Sequence, residues 1–190
     1  MRGERSAIAH DWAEVIRRAK ELDAEAFDEI VDAYAGRLYG FFHRMSGRRE
    51  EAEDLVQEVF VRVVKSIPEY REEGRFEAWL FRIAGNLVRD RLRRPTAVDA
   101  VDPQAGVNDP PSKSAKGVVG DGLERREEID RLQPFLARLP SVEREAVLMR
   151  HYGELSFAEI AEYTAAPLGT VLSRVHRGLA KLREWMESPR

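Results

Sequence analysis

Residues Ser156–Glu184 read SFAEIAEYTAAPLGTVLSRVHRGLAKLRE, and this stretch decides the fold of the C-terminal half. Ser156 followed three residues later by Glu159 forms a capping box. The hydroxyl accepts from the amide of the third helical residue and the carboxylate reaches back to the cap. Ile160 and Ala161 supply the inward side of the short helix that follows. Pro167 stands where a second helix starts, a position at which its missing N–H is no loss. Val171, Val175, Leu179 and Leu182 predict a buried stripe at helical spacing. A short capped helix, a tight turn and a longer basic helix make a helix-turn-helix.

With that stripe inward, Ser173, Arg174, His176, Arg177 and Lys181 are expected outside. From Val171 to Arg183 the chain carries four Lys and Arg and no acid. Such a helix fits the major groove, where an arginine can donate two bonds to guanine, and its charge attracts phosphate. A polar face on an ordinary helical bundle is the plainer alternative. Upstream, Ile129, Leu132, Leu136 and Leu139 form one stripe and Pro140 ends it. Ser141 is expected to cap the next helix, which carries Val147 and Leu148 and ends at the turn Tyr152-Gly153.

The N-terminal half is also helical in pattern. In residues 24–45, Phe27, Ile30, Val31, Tyr34, Leu38, Phe41, Phe42 and Met45 share a face, and Ser46-Gly47 stops the helix. A second helix runs from about Glu50 to Ser66 with Leu55, Val56, Val59, Phe60 and Val63 inward, and Pro68 ends it. After the loop PEYREEGR a third helix spans about Phe76 to Arg93, with Phe76, Trp79, Leu80, Ile83, Leu87 and Val88 on one face. An amphipathic helix near 11–21 completes this bundle. Tyr70, Phe76, Trp79 and Phe81 are interleaved with Arg71, Arg75, Arg82, Arg89, Arg91, Arg93 and Arg94. Aromatic rings stack on unpaired bases while arginines track the backbone; a buried core is the other use of the same rings.

Between the halves, residues 95–122 hold four prolines and four glycines, no aromatic residue and no apolar period. This is the composition of a flexible linker. The expected architecture is therefore all-α: an N-terminal helical bundle (1–94), a flexible linker (95–122) and a C-terminal helix-turn-helix domain (123–190).

Composition narrows the function. The 190 residues include no cysteine, which excludes disulfides, thiolate zinc sites and thiol catalysis. That suits a cytoplasmic protein. No apolar run approaches the ~20 residues that span a bilayer, and the opening MRGERSAIAHDWAEV has no apolar h-region, so no signal peptide is expected. His10, His43, His151 and His176 are scattered without ligand spacing, and no phosphate loop or nucleophile motif is present. Neither an enzyme nor a metal or cofactor site is expected. The net charge of −3 argues against a protein that simply coats DNA. Residues Arg48–Phe60 carry five acids against two arginines, so one surface repels phosphate while another attracts it.

Two stretches resemble a known family. AEDLVQEVFVRVVKSIPEYREEGRFEAWLFRIAGNLVRDRLRR (Ala52–Arg94) is similar to region 2 of bacterial RNA polymerase sigma factors of the extracytoplasmic-function (ECF) class. LARLPSVEREAVLMRHYGELSFAEIAEYTAAPLGTVLSRVHRGLAKLRE (Leu136–Glu184) is similar to their region 4. The patterns DLVQE, FxxWLFRIAxN and PxGTVxSRxHR carry the resemblance. It implies a subunit that brings core RNA polymerase to promoter DNA. Asp54, Gln57 and Glu58 would dock on the polymerase clamp, and Val147, Leu148 and Tyr152 would meet its flap. Tyr70, Arg71, Trp79, Arg82, Asn86, Arg89 and Arg93 would recognise and melt the −10 element, extruding one base at an unstacking cost. Ser173, Arg174, His176, Arg177 and Lys181 would read the −35 element as duplex. An anti-sigma factor is a further expected partner; membrane insertion is not expected.

The chain departs from the family pattern at two places. Ala165 stands where the turn usually has glycine, so a turn of different shape is expected. Leu172 takes a place that is usually basic, which weakens one −35 contact and is expected to shift sequence preference. The 28-residue linker has an r.m.s. span of about 29 Å and a reach of at most ~90 Å. Promoter elements two helical turns apart are separated by roughly 70 Å, so the linker must be drawn out to serve both. A stand-alone helix-turn-helix regulator is the alternative function. It would need a dimer interface or ligand pocket in the N-terminal half, where an acidic face and an aromatic-basic helix stand instead.

Overall fold

The computed structural model describes residues 11–93 and 132–187, with the side chains of residues 92 and 93 left out. The linker 95–122 lies outside the described residues, as do the start of the expected Ile129 stripe, Arg94 and His10. The described chain is all-α: α1 (Trp12–Lys20), α2 (Ala24–Ser46), α3 (Arg49–Ser66), a 3-10 turn (Ile67–Glu69), α4 (Phe76–Arg93), α5 (132–138), α6 (Ser141–Tyr152), α7 (Phe157–Thr164) and α8 (Leu168–Glu187).

Local chemistry sets most of these bounds. Asp23 caps α2 by accepting the Glu25 amide at 2.9 Å, and Gly47 closes it in the left-handed region at φ 73°. Burial follows the expected faces. Ile30, Tyr34, Leu38, Phe41, Phe42 and Met45 of α2 are buried, as are Leu55, Val59 and Val63 of α3 and Phe76, Leu80, Leu87 and Val88 of α4. Phe27, Val31, Val56, Phe60, Trp79 and Ile83 are only half-buried, at the margins of those stripes. Phe81 belongs to the core: it is fully buried and meets Phe41 edge-on at 5.8 Å.

The C-terminal unit is the expected helix-turn-helix, with three local corrections. The capping box at Ser156 and Glu159 is fully formed. Ser141, however, is the first residue of α6 rather than its cap, and no side chain caps that helix. Pro140 turns the chain one residue earlier, and its carbonyl takes the amides of Glu143 and Arg144 at 2.9 and 3.0 Å. In α8, Val171, Val175, Gly178 and Leu182 are buried while Leu179 is 52% exposed. Positions 171, 175, 178 and 182 keep one seam at i+4 and i+3 steps; Leu179 lies about 70° off its centre.

The third correction concerns the turn. Ala165 adopts the left-handed conformation a glycine would take, at φ 49° and ψ 36°, and the Ala166 amide reaches back to the Ala161 carbonyl at 3.1 Å. The turn thus keeps the usual shape despite the alanine, at a steric cost of about 1–2 kcal/mol. Ala165→Gly is expected to raise the unfolding free energy by about 1 kcal/mol, the relief of strain exceeding the added unfolded-state entropy. Denaturant midpoints measure this; an unchanged or lowered midpoint would show that the turn is unstrained.

The two units are packed together. Buried residues of both join in one apolar cluster, with α2 against α6. Gly40 of α2 faces the Tyr152 ring, and Gly85 of α4 faces Tyr163 and Met149; a Cβ at either glycine would overlap those side chains. The Arg37 Nε donates to the Tyr152 carbonyl at 2.8 Å, Arg44 donates to the Tyr152 hydroxyl, and Arg144 donates to the Met45 carbonyl at 2.9 Å.

Candidate nucleic-acid interface

The α8 face is set by its buried seam. Ser173, His176 and Arg177 are exposed and Arg174 is half-buried. Lys181 is turned inward: its Nζ pairs with Glu143 at 2.8 Å, and the Arg177 Nε stands 3.7 Å from the same carboxylate. The Glu143 side chain is only 8% exposed. A carboxylate so far from water needs a cation beside it. Lys181 is therefore first a structural partner of α6, and the outward basic face consists of Arg174, Arg177 and His176. Leu172, 43% exposed, sits beside Ser173 as an apolar interruption.

The α4 face begins at a ring cluster. Tyr70 is buried, with Trp79 at 4.7 Å and Phe76 at 5.7 Å between ring centroids. Burial, assisted by the charge of Glu72, pushes the Tyr70 phenol up to about 12. Trp79 is half-buried, while Arg71, Arg82 and Asn86 are exposed. Arg93 is helical in its backbone. Tyr70 and Trp79 therefore brace each other, and of the ring pair only Trp79 presents an open edge.

Arg75, just before α4, and the α4 arginines Arg82 and Arg89 meet acids that sequence reasoning missed. Arg75 pairs with Glu162 at 2.8 Å and stands 3.6 Å from Glu159. Arg82 pairs with Glu162 at 3.3 Å. Arg89 pairs with Glu145 at 3.1 Å and lies 4.3 Å over the Tyr163 ring, a cation–π contact. The hydrogen bond and charge of Arg75 hold the Glu162 carboxyl below its ordinary range. Burial raises Glu159, but the Ser156 backbone and hydroxyl and then Arg75 outweigh it, and its pKa is lowered as well. Burial, with the charge of Glu145 behind it, pushes the Tyr163 phenol strongly up. One signal was legible: Glu145 shares an inward helical face with Leu148 and Met149, an unusual place for an acid.

The acidic face lies on α3, where Glu51 also pairs with Arg91 of α4 at 3.0 Å. Asp54, Gln57 and Glu58 are all exposed, as expected from their phase against Leu55 and Val59. Val61 at 51% and Val64 at 42% exposure extend this face by two turns, an apolar continuation the inward-stripe reading did not single out. Val147 and Leu148 are buried in the C-terminal unit, and Tyr152 is half-buried against α2. Among the described residues no cluster of His, Cys, Asp or Glu is placed to hold a metal, and no helix is long and apolar enough to cross a membrane.

Comparison with known proteins agrees with this geometry. The family model for sigma-70 region 2 matches residues 30–97, and that for sigma-70 region 4 matches residues 129–182. The chain is 33% identical over 175 residues to the ECF RNA polymerase sigma factor SigW of Bacillus subtilis, covering 89% of this chain and 93% of the relative. Its fold is similar to CnrH, solved with the cytosolic domain of CnrY (TM-score 0.67, 22% identity, 93% of this chain and 97% of that one). It is also similar to the Bartonella quintana sigma factor RpoE solved with the anti-sigma factor NepR (TM-score 0.65, 23% identity, 88% and 100%). With both sigma regions matched in order on one all-helical chain, this protein belongs to the ECF class of RNA polymerase sigma factors, which direct the polymerase to promoters.

Proposed function

We propose that promoter recognition is divided between the two units. Residues 1–94 form the region 2 domain, 123–190 the region 4 domain, and 95–122 the linker between them. Arg174, Arg177, His176 and Ser173 read the −35 duplex, with Lys181 supporting the helix from behind. Arg71, Trp79, Arg82, Asn86, Arg89 and Arg93 hold the −10 strand, and Tyr70 braces Trp79. Asp54, Gln57 and Glu58, with Val61 and Val64 beside them, dock on the polymerase clamp. Val147, Leu148 and Tyr152 shape the side of region 4 that meets the flap. The protein acts in the cytoplasm, by binding rather than by catalysis. An anti-sigma factor is its proposed inhibitor, in keeping with the complex recorded for the Bartonella relative.

The observation that carries this reading is the segregation of charge. Asp54 and Glu58 are exposed on α3, Arg82 on α4 and Arg177 on α8. DNA must meet the basic faces, which leaves the acidic and apolar α3 face for a protein. Run-off transcription with core polymerase on candidate promoters tests the function. Asp54→Arg with Glu58→Arg tests the docking face: core binding in a pull-down is expected to fall at least 10-fold with helicity unchanged, since reversing rim charges places like charges together. Unchanged binding would remove the docking role.

A further inference from the structure

Glu143 stands on α6, outside the residues proposed above to read DNA, yet it lies against two cations of α8. Its side chain is only 8% exposed. One carboxylate oxygen pairs with the Lys181 Nζ at 2.8 Å, and the other stands 3.7 Å from the Arg177 Nε. Arg177 and Lys181 are four residues apart, so both project from one side of the helix. The two helices are closely fitted at this point: a Cβ on Gly178 would come within 2.9 Å of Val147 and 3.7 Å of the Glu143 Cβ. Glu143 is thus held by a tight helix contact and by Lys181, while the Arg177 side chain remains 58% exposed. At 3.7 Å the carboxylate orients the guanidinium as an ion pair without binding it as a hydrogen bond would. The attraction falls on Nε, which leaves the two terminal nitrogens of the fork for a guanine O6 and N7.

We propose that Glu143 is a positioning residue for −35 recognition: it draws the Arg177 Nε towards α6 and so orders the guanidinium before DNA arrives. The inference rests on the assignment of Arg177 as a base reader above. A long exposed side chain loses rotamer freedom when it binds, and prior ordering lowers that cost. Lys181 completes the arrangement. It balances the charge of a carboxylate that lies too far from water to stand alone. Two effects of Glu143 on DNA therefore oppose each other. Its residual charge repels phosphate on every sequence alike, whereas its hold on Arg177 favours only a site with guanine at the matching position. Removing the carboxylate should leave non-specific binding unchanged or tighter and lower the preference for guanine.

The holoenzyme is tested on a −35 duplex from a promoter that it transcribes, each guanine replaced in turn by adenine, with an unrelated duplex as reference. Arg177→Ala identifies the guanine that Arg177 reads. Glu143→Gln is expected to cut the preference for that guanine about 5-fold, with binding to the unrelated duplex the same or tighter. The Lys181 side chain is 37% exposed and can reach water when Glu143 is replaced, so the fold is expected to persist. Glu143→Gln with Lys181→Gln leaves a neutral pair between α6 and α8 and is expected to show the same loss of preference. In the Arg177→Ala background Glu143→Gln is expected to change the preference by less than about 2-fold, because nothing is left to position. Thermal midpoints of the free chain check the folding of each variant. An unchanged preference in the two Glu143 variants would overturn the proposal. So would a loss of the same size with and without Arg177, which is the mark of a purely structural role. Arg177→Ala with every guanine preference intact would instead overturn the base-reading assignment, and the positioning role with it.

Discussion

Arg177→Ala is expected to weaken −35 duplex binding by the holoenzyme by roughly 5- to 150-fold, the ~1–3 kcal/mol of one bidentate guanine contact. Arg177 is exposed on α8, one turn from Arg174, and its pairing with Glu143 is long at 3.7 Å. Lys181 holds the same carboxylate at 2.8 Å, so removing Arg177 leaves Glu143 partnered and region 4 folded. The loss should therefore appear in DNA binding and not in the thermal midpoint. A phosphate contact would behave differently: all sequences would weaken alike and the salt slope would flatten by about one unit. Competition between matched and mismatched −35 duplexes at several salt concentrations distinguishes the two. Equal loss on every sequence would move Arg177 from base reading to backbone holding.

Asn86→Ala is expected to show the complementary defect: closed complexes form and open complexes are lost. Asn86 is exposed on α4, one turn beyond Arg82 and close to Arg89. An amide that donates to and accepts from a base edge is worth ~1–3 kcal/mol, so the open fraction should fall roughly 5- to 150-fold. Permanganate footprinting reads the melted bases, and a −35-only competition assay run beside it should be unaffected. On a pre-opened template Arg177→Ala should hold the open strand normally and Asn86→Ala should still hold it poorly. Melting untouched by Asn86→Ala would break the division of labour between α4 and α8.

Much of this was legible along the chain. The helices, the capping box at Ser156 and the outward phase of Asp54, Gln57 and Glu58 follow from interactions between residues at most four apart, and such interactions leave a period in the sequence. Leu179 shows the limit of that reading: the apolar residues at 175, 179 and 182 suit two neighbouring seams, and only the packing of α8 on α6 selects the one through Gly178. The turn at Ala165 shows another limit. Alanine in place of the family's usual glycine implied an altered shape, but the packed helices on either side hold the alanine in the left-handed region.

The amino-acid sequence by itself determined two helical units, a basic reading helix, a separate acidic face and the absence of thiol chemistry. The tertiary structure alone decided which charges are available. Lys181 finds Glu143 across 38 residues, Arg89 finds Glu145 across 56, and Arg75 finds Glu162 across 87. Pairs that far apart in sequence leave no period behind them. They depend on where whole helices come to rest, and that is set by the fit of Tyr152 on Gly40 and of Tyr163 on Gly85, a matter of shape that no single stretch of the chain encodes.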